Sequence, residues 1–535
     1  MKFTLARVWR SYGDWFVALF LLVTVPLILS PYLYQELPTL RGVAGREWSP
    51  DEGTVLSNAD RWGRGHVLYR DVFDFKGPIG FVPAALAFAV WSPSLAVGRM
   101  SMFVVMGFLA LAVYLACARI ARKRWVGIVG AASVPFVAWP CWPYAYQDPL
   151  GAAFVLAACV TGLHTSRRAM LGVGALLGLS VWTSIAQGAP AVVALGLTLM
   201  LRAWVMQSFS ELLHVAARIL GGLAVVTTPL LSLAAGQGTL GAMLWSVFVF
   251  PFKYYQAPIN VTTYAFDQPQ YANAWGKVSA LDGGLAELVS GAAAGLPLVA
   301  IGVGILVGLS VLKVWIARLW NGKAPASANT VFRVATIASA SAVALPVVFG
   351  YTRSDLAHIG FVLPECVVTL CALAGAPELQ GTLAQPLRWV RNGALVVLLQ
   401  VVTAGAWMHA RQVATPFPRT DPDTAVRAVL TLDDLSPWTE PGDEILSPIY
   451  GGLTFLVTRR ENVTRFATLW QDYAGYQWEI AARDVAARRP KVLRALPVHM
   501  DRLATYQPQL LRRYRRFGRI YVRVDLLPRA PKAGQ

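Results

Sequence analysis

Charge is scarce in this sequence: Asp, Glu, Lys and Arg make up 14% of its 535 residues, against 56% for the hydrophobic set. That balance rules out a disordered chain and is foreign to an ordinary soluble domain. Cysteine is scarce too. The five cysteines never fall in a CxxC spacing, so the common zinc and redox frameworks are excluded, and small-residue packing within or beside apolar blocks accounts for Cys117, Cys141, Cys159, Cys366 and Cys371. Six scattered histidines give no HxxxH-like zinc pattern. Short alternating segments of the kind that build a transmembrane β-barrel are missing. So is any internal repeat, which weighs against an inverted-repeat transporter. No DNA- or RNA-binding motif accompanies the net charge of +18, and no nucleic-acid partner is expected.

What the chain has instead is a series of apolar blocks, many near 20 residues long. They run approximately 14 to 34, 77 to 91, 97 to 118, 125 to 141, 149 to 165, 169 to 184, 188 to 206, 215 to 235, 286 to 308, 334 to 352, 359 to 376 and 392 to 409. A helix of about 20 residues crosses a hydrocarbon core of roughly 30 Å and satisfies its own backbone there. The expected fold is therefore an α-helical polytopic membrane protein. The first block follows Lys2, Arg7 and Arg10, but it is too long for a signal peptide and lacks a small-residue cleavage site, so it reads as a retained span.

Basic residues fix the orientation. With the N-terminus inside, Arg119 to Arg124, Arg167 with Arg168, Arg202 with Arg218, Lys313 to Arg333, and Arg388 with Arg391 all fall inside, provided that residues 77 to 118 cross only once. The block from 77 to 91 is short, opens Gly77-Pro78 and contains Pro83, so it is read as a re-entrant or surface segment. About eleven spans remain. One external face then collects the loop after the first span, the Tyr144 to Asp148 turn, a long loop from about 236 to 285, the Tyr351 to His358 segment and the tail after 410.

The tail changes character. Strand-length apolar runs (Glu444 to Tyr450, Lys491 to Leu496, Arg519 to Val524) alternate with helix-like stretches such as Tyr476 to Arg489. The expected organisation is a transmembrane domain over 1–410 and a small external α/β domain over 411–535. Arg512, Arg513, Arg515 and Arg516 read as a solvated or headgroup-facing surface.

The loop after the first span, SPDEGTVLSNADRWGRGHVLYRDVFDFKGPIG over residues 49–80, carries far more polar chemistry than a connector needs. Asp51 and Glu52 open a short helix, where they also suit the helix dipole. Arg61, Arg64, His66, Tyr69, Arg70, Asp71, Asp74 and Lys76 follow within 25 residues of Asp51. An acid beside a basic cluster at a membrane surface suits transfer of a sugar from a lipid-linked phosphate to a hydroxyl. The phosphate is already a competent leaving group, cations such as Lys76 and Arg353 stabilise the charge that develops on it, and one carboxylate, Asp51, takes the acceptor proton.

At these residues the chain resembles the C-type integral-membrane glycosyltransferases (GT-C, family 39-like), in particular the group of protein O-mannosyltransferases and lipid A aminoarabinose transferases. In that group an acidic pair opens the first external loop, a Lys-Pro-Pro element precedes the next apolar stretch, and a further acid lies in the second external loop. Asp51-Glu52 matches the pair, with Asp51 falling on the catalytic aspartate. Lys76-Gly77-Pro78 matches the second element with Gly in place of the first Pro, and Asp148 falls where the second acid is expected. The resemblance implies a polyprenyl-phosphate sugar donor, a lipid, glycan or protein acceptor, and inverting transfer of a hexosyl or pentosyl unit at the external face of the bacterial inner membrane. Some relatives use a divalent metal (Mg, Mn or Zn) and others none. Asp51 and Asp148 are the residues that would hold one here.

The remaining candidates are looser. Arg70 joins Lys76 and Arg353 as a donor-phosphate ligand, and Tyr69, His66, Asp355, His358, Tyr254 and Tyr255 are candidate substrate contacts. Arg353 and Asp355 also suit a local ion pair, Gln147-Asp148-Pro149 a helix start, and the aromatics from Tyr254 to Trp275 interfacial anchoring. Two competing functions are a ligase for larger lipid-linked glycans and a transporter or flippase. The latter should carry ionisable residues deep within its spans, whereas here they crowd the loops and the ends of spans.

Overall fold

A computed structural model describes residues 2–33, 50–139, 146–251, 253, 276–348, 356–374, 384–414, 421–448, 450–469 and 475–527. The helices run α1 (Lys2–Leu29), α2 (Pro50–Gly63), α3 (Val82–Val90), α4 (Leu95–Ala121), α5 (Arg124–Ser133), α6 (Asp148–Gly162), α7 (Arg167–Val181), α8 (Ile185–Met206), α9 (Phe209–Gly236) and α10 (Leu240–Leu244); α2 lies in the polar loop, α10 in the stretch after 236, and the rest are the apolar blocks. They continue as α11 (Gly276–Asn321), α12 (Ala328–Ala338), α13 (Leu356–Ala374) and α14 (Ala384–Ala414). Helix α4 sits at the centre of the bundle, packing on α1, α5, α6 and α13, and Phe103, Val113, Tyr114 and Cys117 on it are fully buried.

Among the described residues, six helices are long and apolar enough to cross a membrane: Gly13–Leu33, Leu95–Ala121, Ile185–Met206, Phe209–Gly236, Gly295–Asn321 and Ala328–Val348. Exposed Trp15, Phe16, Leu19 and Phe20 line the outer face of the first, apolar surface of the kind that lipid covers. Among the described residues, other expected spans are represented by shorter apolar stretches of helix, such as Arg124–Ala138, Asp148–Gly162 and Ile359–Leu373, the last within α13. The segment at 77–91 is a single 3-10 turn, Pro78–Phe81, leading into the nine-residue α3, so it is too short to cross.

Two expectations need correction. The stretch from 236 to 285 is not all loop, because it contains α10, prolonged by a π turn over Trp245–Val249, and the start of α11. Nor is α11 confined to 286–308. It runs 46 residues, because Lys313 and Arg318 interrupt but do not end an apolar run that continues to Trp320, and neither residue breaks a helix.

The tail folds as expected in kind. Strands β1 (Glu444–Leu446), β2 (Glu461–Asn462), β3 (Val492–Leu493), β4 (Tyr514–Phe517) and β5 (Ile520–Arg523) form one sheet in the order β2-β1-β3-β5-β4. β1 is parallel to β2 and β3, while β5 is antiparallel to β3 and β4. Helices α15 (Pro422–Val429), α16 (Gly451–Thr458), α17 (Tyr476–Arg488) and α18 (Pro497–Tyr506) complete it. Helix α16 lies against α2, and Val55, Leu56 and Ala59 share a buried cluster with Val426, Leu453 and Leu456. The approach is close. A Cβ on Gly452 would lie 2.3 Å from the Gly53 carbonyl carbon, so only glycine allows the two backbones to meet.

Candidate functional site

Pro50 begins α2 and places Asp51 and Glu52 in its first turn. Their neighbour Ser49, a potential cap, lies outside the described residues. The two acids have different surroundings. Glu52 is fully buried and takes a bidentate pair from Arg99 of α4, with Nε to Oε1 and Nη2 to Oε2 both at 2.9 Å. Arg99 Nη1 also donates to the backbone oxygens of Tyr32 and Leu33, so one guanidinium ties the end of the first helix to the starts of α2 and α4. The bidentate Arg99 pair belongs to Glu52, while Asp51 is half-buried. Its spacing to Thr54 and Asn58 (i, i+3, i+7) puts the three on one face of α2.

That face meets the loop bearing Lys76. Asn58 Nδ2 donates to Asp74 Oδ2 (2.9 Å), and the Lys76 backbone N–H donates to Asp74 Oδ1 (3.0 Å). Tyr69, held at φ 69°, donates its hydroxyl to the Lys76 carbonyl (2.8 Å). The loop is therefore fixed from both sides of Lys76. Burial pushes the Asp74 carboxyl up to about 6, against the opposing pull of the Lys76 and Asn58 donors, and burial likewise raises the Tyr69 phenol.

Lys76 reaches across to the first turn of α6, where its Nζ lies 3.1 Å from Asp148 Oδ2, while Ser184 Oγ donates to Asp148 Oδ1 at 2.6 Å. Asp148 starts α6 but makes no capping bond, and the N-cap residue is Gln147. The ammonium also sits 4.8 Å from the centroid of Tyr146, whose ring stacks on Phe361. A cavity of about 80 Å³ opens here, walled by Lys76, Asp148, Ser184 and Gln187 and otherwise largely by apolar residues such as Phe361 and Val347.

Gly77 explains the departure from a Pro at this position. A Cβ there would lie 1.9 Å from the Trp182 carbonyl oxygen, the same oxygen that accepts the Ile79 N–H at 3.1 Å. Pro78 then opens the 3-10 turn.

The other candidates divide. Arg70 and His66 do not line the Lys76 cavity. They face a second cavity against the C-terminal sheet, where Arg70 is paired with Asp71, holding that carboxyl down to about 2, and His66 lies 3.6 Å from Glu461. Arg353, Asp355, Tyr254 and Tyr255, and the side chain of His358, lie outside the described residues.

Among the described residues, no group of three His, Cys, Asp or Glu side chains could hold a metal ion. Both Asp148 oxygens are occupied by Lys76 and Ser184, so a divalent ion at Asp148 would have to displace the ammonium. The described cysteines are free and buried, in keeping with packing.

Three polar residues escaped the reading of the sequence. Ser184 and Gln187 lie in an apolar stretch and gain their meaning only from Asp148 and from Phe361, whose carbonyl accepts from Gln187 Nε2 at 3.0 Å. Glu365 is fully buried in the middle of α13, with neither carboxyl oxygen partnered among the described residues, and lies within electrostatic range of Asp148. It is also an exception to the expectation that ionisable groups keep to the ends of spans. A solitary acid within residues 359–373 was the available signal.

No family model matches this chain, and neither does any curated protein. Among solved structures it is similar to ArnT from Cupriavidus metallidurans bound to undecaprenyl phosphate, at 16% identity over 83% of this chain and 85% of that one, with a TM-score of 0.46. The apo state of the same protein gives 14% identity, 84% and 86% coverage, and a TM-score of 0.45.

Proposed function

We propose that this chain is an inverting glycosyltransferase that moves a sugar from a polyprenyl-phosphate donor to a hydroxyl on a lipid, glycan or protein acceptor. The proposed place of reaction is the external face of a bacterial inner membrane, with the N-terminus cytoplasmic and residues 411–535 external. One observation carries the reading: a lysine ammonium held by a buried aspartate in a largely apolar cavity, at the end of a loop pinned to the helix that presents Asp51.

In the proposed reaction the acceptor oxygen bonds to the anomeric carbon from the face opposite the phosphate, and its proton passes to the Asp51 carboxylate. The bond between that carbon and the phosphate oxygen breaks with its electron pair on the phosphate. Lys76, joined by Arg353, stabilises the departing charge. Asp148 and Ser184 aim Lys76, and the Glu52–Arg99 pair holds the first turn of α2 so that Asp51 has a fixed position.

The test is transfer by purified protein from a panel of radiolabelled polyprenyl-phosphate sugars. Asp51→Asn is expected to lose at least about a hundredfold in rate, roughly 2.7 kcal/mol of barrier. Near-normal transfer by that variant would reject Asp51 as the base. A transport function is favoured by one feature, the buried carboxyl of Glu365 inside an apolar helix, and under that reading Asp51→Asn would be silent.

A further inference from the structure

The Lys76 ammonium has neighbours of two kinds. It carries three N–H donors, and among the described residues one of them meets an acceptor, Asp148 Oδ2 at 3.1 Å. Its other close neighbours are aromatic. Nζ lies over the Tyr146 ring, 4.8 Å from the centroid, and over the Phe75 ring at 5.7 Å, both within the roughly 6 Å reach of a cation–π contact.

Each ring is held in its turn. Tyr146 lies almost parallel to Phe361, with centroids 5.2 Å apart and planes at 11°, and the Phe361 carbonyl accepts from Gln187 Nε2 at 3.0 Å. Phe75 stacks on fully buried Phe250 at 6.0 Å. Ser184, which donates to Asp148, is the N-cap residue of α8, and Gln187 lies in the first turn of the same helix. One helix end therefore fixes both the acid and, through Phe361, the ring that face Lys76. Chain adjacency brings Phe75 to the ammonium, but only the fold brings Tyr146.

The two kinds of neighbour act differently on a charge. A carboxylate neutralises the ammonium and competes with an incoming anion for the same N–H groups, whereas a ring attracts the cation through its quadrupole and takes no charge from it. The lysine stem is flexible, so a cation with Asp148 as its sole support would follow that carboxylate rather than stand ready for a second anion. The Lys76 side chain is only 16% exposed, where such attractions are less screened than at an open surface. We propose that Tyr146 is a positioning residue for donor binding: its ring holds the Lys76 ammonium at the cavity wall and leaves its charge to meet a phosphate. The inference rests on the reading of Lys76 as the donor-phosphate ligand.

The experiment uses the full chain in phosphatidylcholine nanodiscs, with farnesyl phosphate, a short polyprenyl phosphate, as the probe, and reads binding by ³¹P-NMR titration. Tyr146→Phe keeps the ring and is expected to bind within about twofold of wild type, whereas Tyr146→Leu is expected to bind at least about fivefold more weakly (~1 kcal/mol). Phenylalanine carrying one, two or three ring fluorines at position 146 keeps the shape while withdrawing negative charge from the ring face, and affinity is expected to fall with each fluorine added. Packing alone gives no such series. Thermal unfolding of the unliganded variants identifies any that fails to fold, and the fluorinated rings decide the matter if Tyr146→Leu does fail. A stepwise fall upholds the role of Tyr146 whether or not a sugar is transferred. Affinity independent of fluorine, binding by Tyr146→Leu equal to that of wild type, or no saturable binding by wild type up to about 1 mM overturns it. The transferase reading fails separately, by absence of transfer from every donor in the panel.

Discussion

Asp74 and Gly77 flank Lys76 and constrain it in opposite ways. Gly77 acts by having no side chain, since the Trp182 carbonyl occupies the volume a Cβ needs. Gly77→Ala must push the loop off α7, and a cost of about 1 to 3 kcal/mol is expected in denaturant or thermal unfolding. Asp74 acts through a charge held in a buried place. Its carboxyl titrates near 6 in the folded protein, against 3.8 as the ordinary value, so the folded state binds the proton first as pH falls. The contribution of this group to stability therefore rises from pH 7 toward pH 4, by an amount on the order of 3 kcal/mol. Asn58 can serve both states, because its Oδ1 has no partner among the described residues and an amide flip would turn it toward the protonated acid. The check is Tm against pH for wild type and Asp74→Asn. The difference between them should shift by several degrees over that window, and parallel curves would contradict the assignment.

At the scale of elements, the acidic pair divides its work. Glu52 and Arg99 form a fully buried bidentate bridge joining α2, α4 and the end of the first helix. Removing one partner leaves the other charge without compensation in the interior, and Arg99→Ala is expected to cost about 3 to 5 kcal/mol. Asp51, one residue earlier and half-buried, should behave in the reverse sense, with Asp51→Asn stopping transfer while changing stability by only about 0.5 kcal/mol. Unfolding and transfer assays on the two variants separate a clamp from a base.

For the whole molecule, the tail acts as a brace for the loop that carries the site. Helix α16 crosses α2 at Gly452 and Gly53, Arg64 pairs with Glu461, and the Phe73 N–H donates to the Arg465 carbonyl at 2.8 Å. The Leu95 N–H at the start of α4 donates to Asp423 of α15 at 3.0 Å. The Lys76 cavity takes no lining residue from beyond Val362, yet the loop reaching it rests on the C-terminal sheet. Gly452→Val should therefore lower the transfer rate at least about tenfold, through displacement of α2, although Gly452 lies outside that cavity. Limited proteolysis of the 64–76 loop, faster in the variant than in wild type, is the accompanying structural readout.

The sequence by itself determined that the chain is helical and apolar in blocks, because hydrogen-bond closure in hydrocarbon is a local requirement that each block meets alone. It also determined three strands and a helix of the tail, through local alternation at 444, 491 and 519 and helical spacing at 476. It could not give β2 and β4, one too short for a pattern and the other masked by its arginines. Only the tertiary structure decided which polar residues work together. Lys76 meets Asp148 across 72 positions, and Glu52 meets Arg99 across 47. Arg70 and Lys76, neighbours in sequence, face different cavities because the chain turns at Tyr69 and is pinned at Asp74. Long-range pairing of single side chains leaves no periodic trace in a sequence. Composition and spacing report the elements, and the meeting of charges depends on how those elements cross.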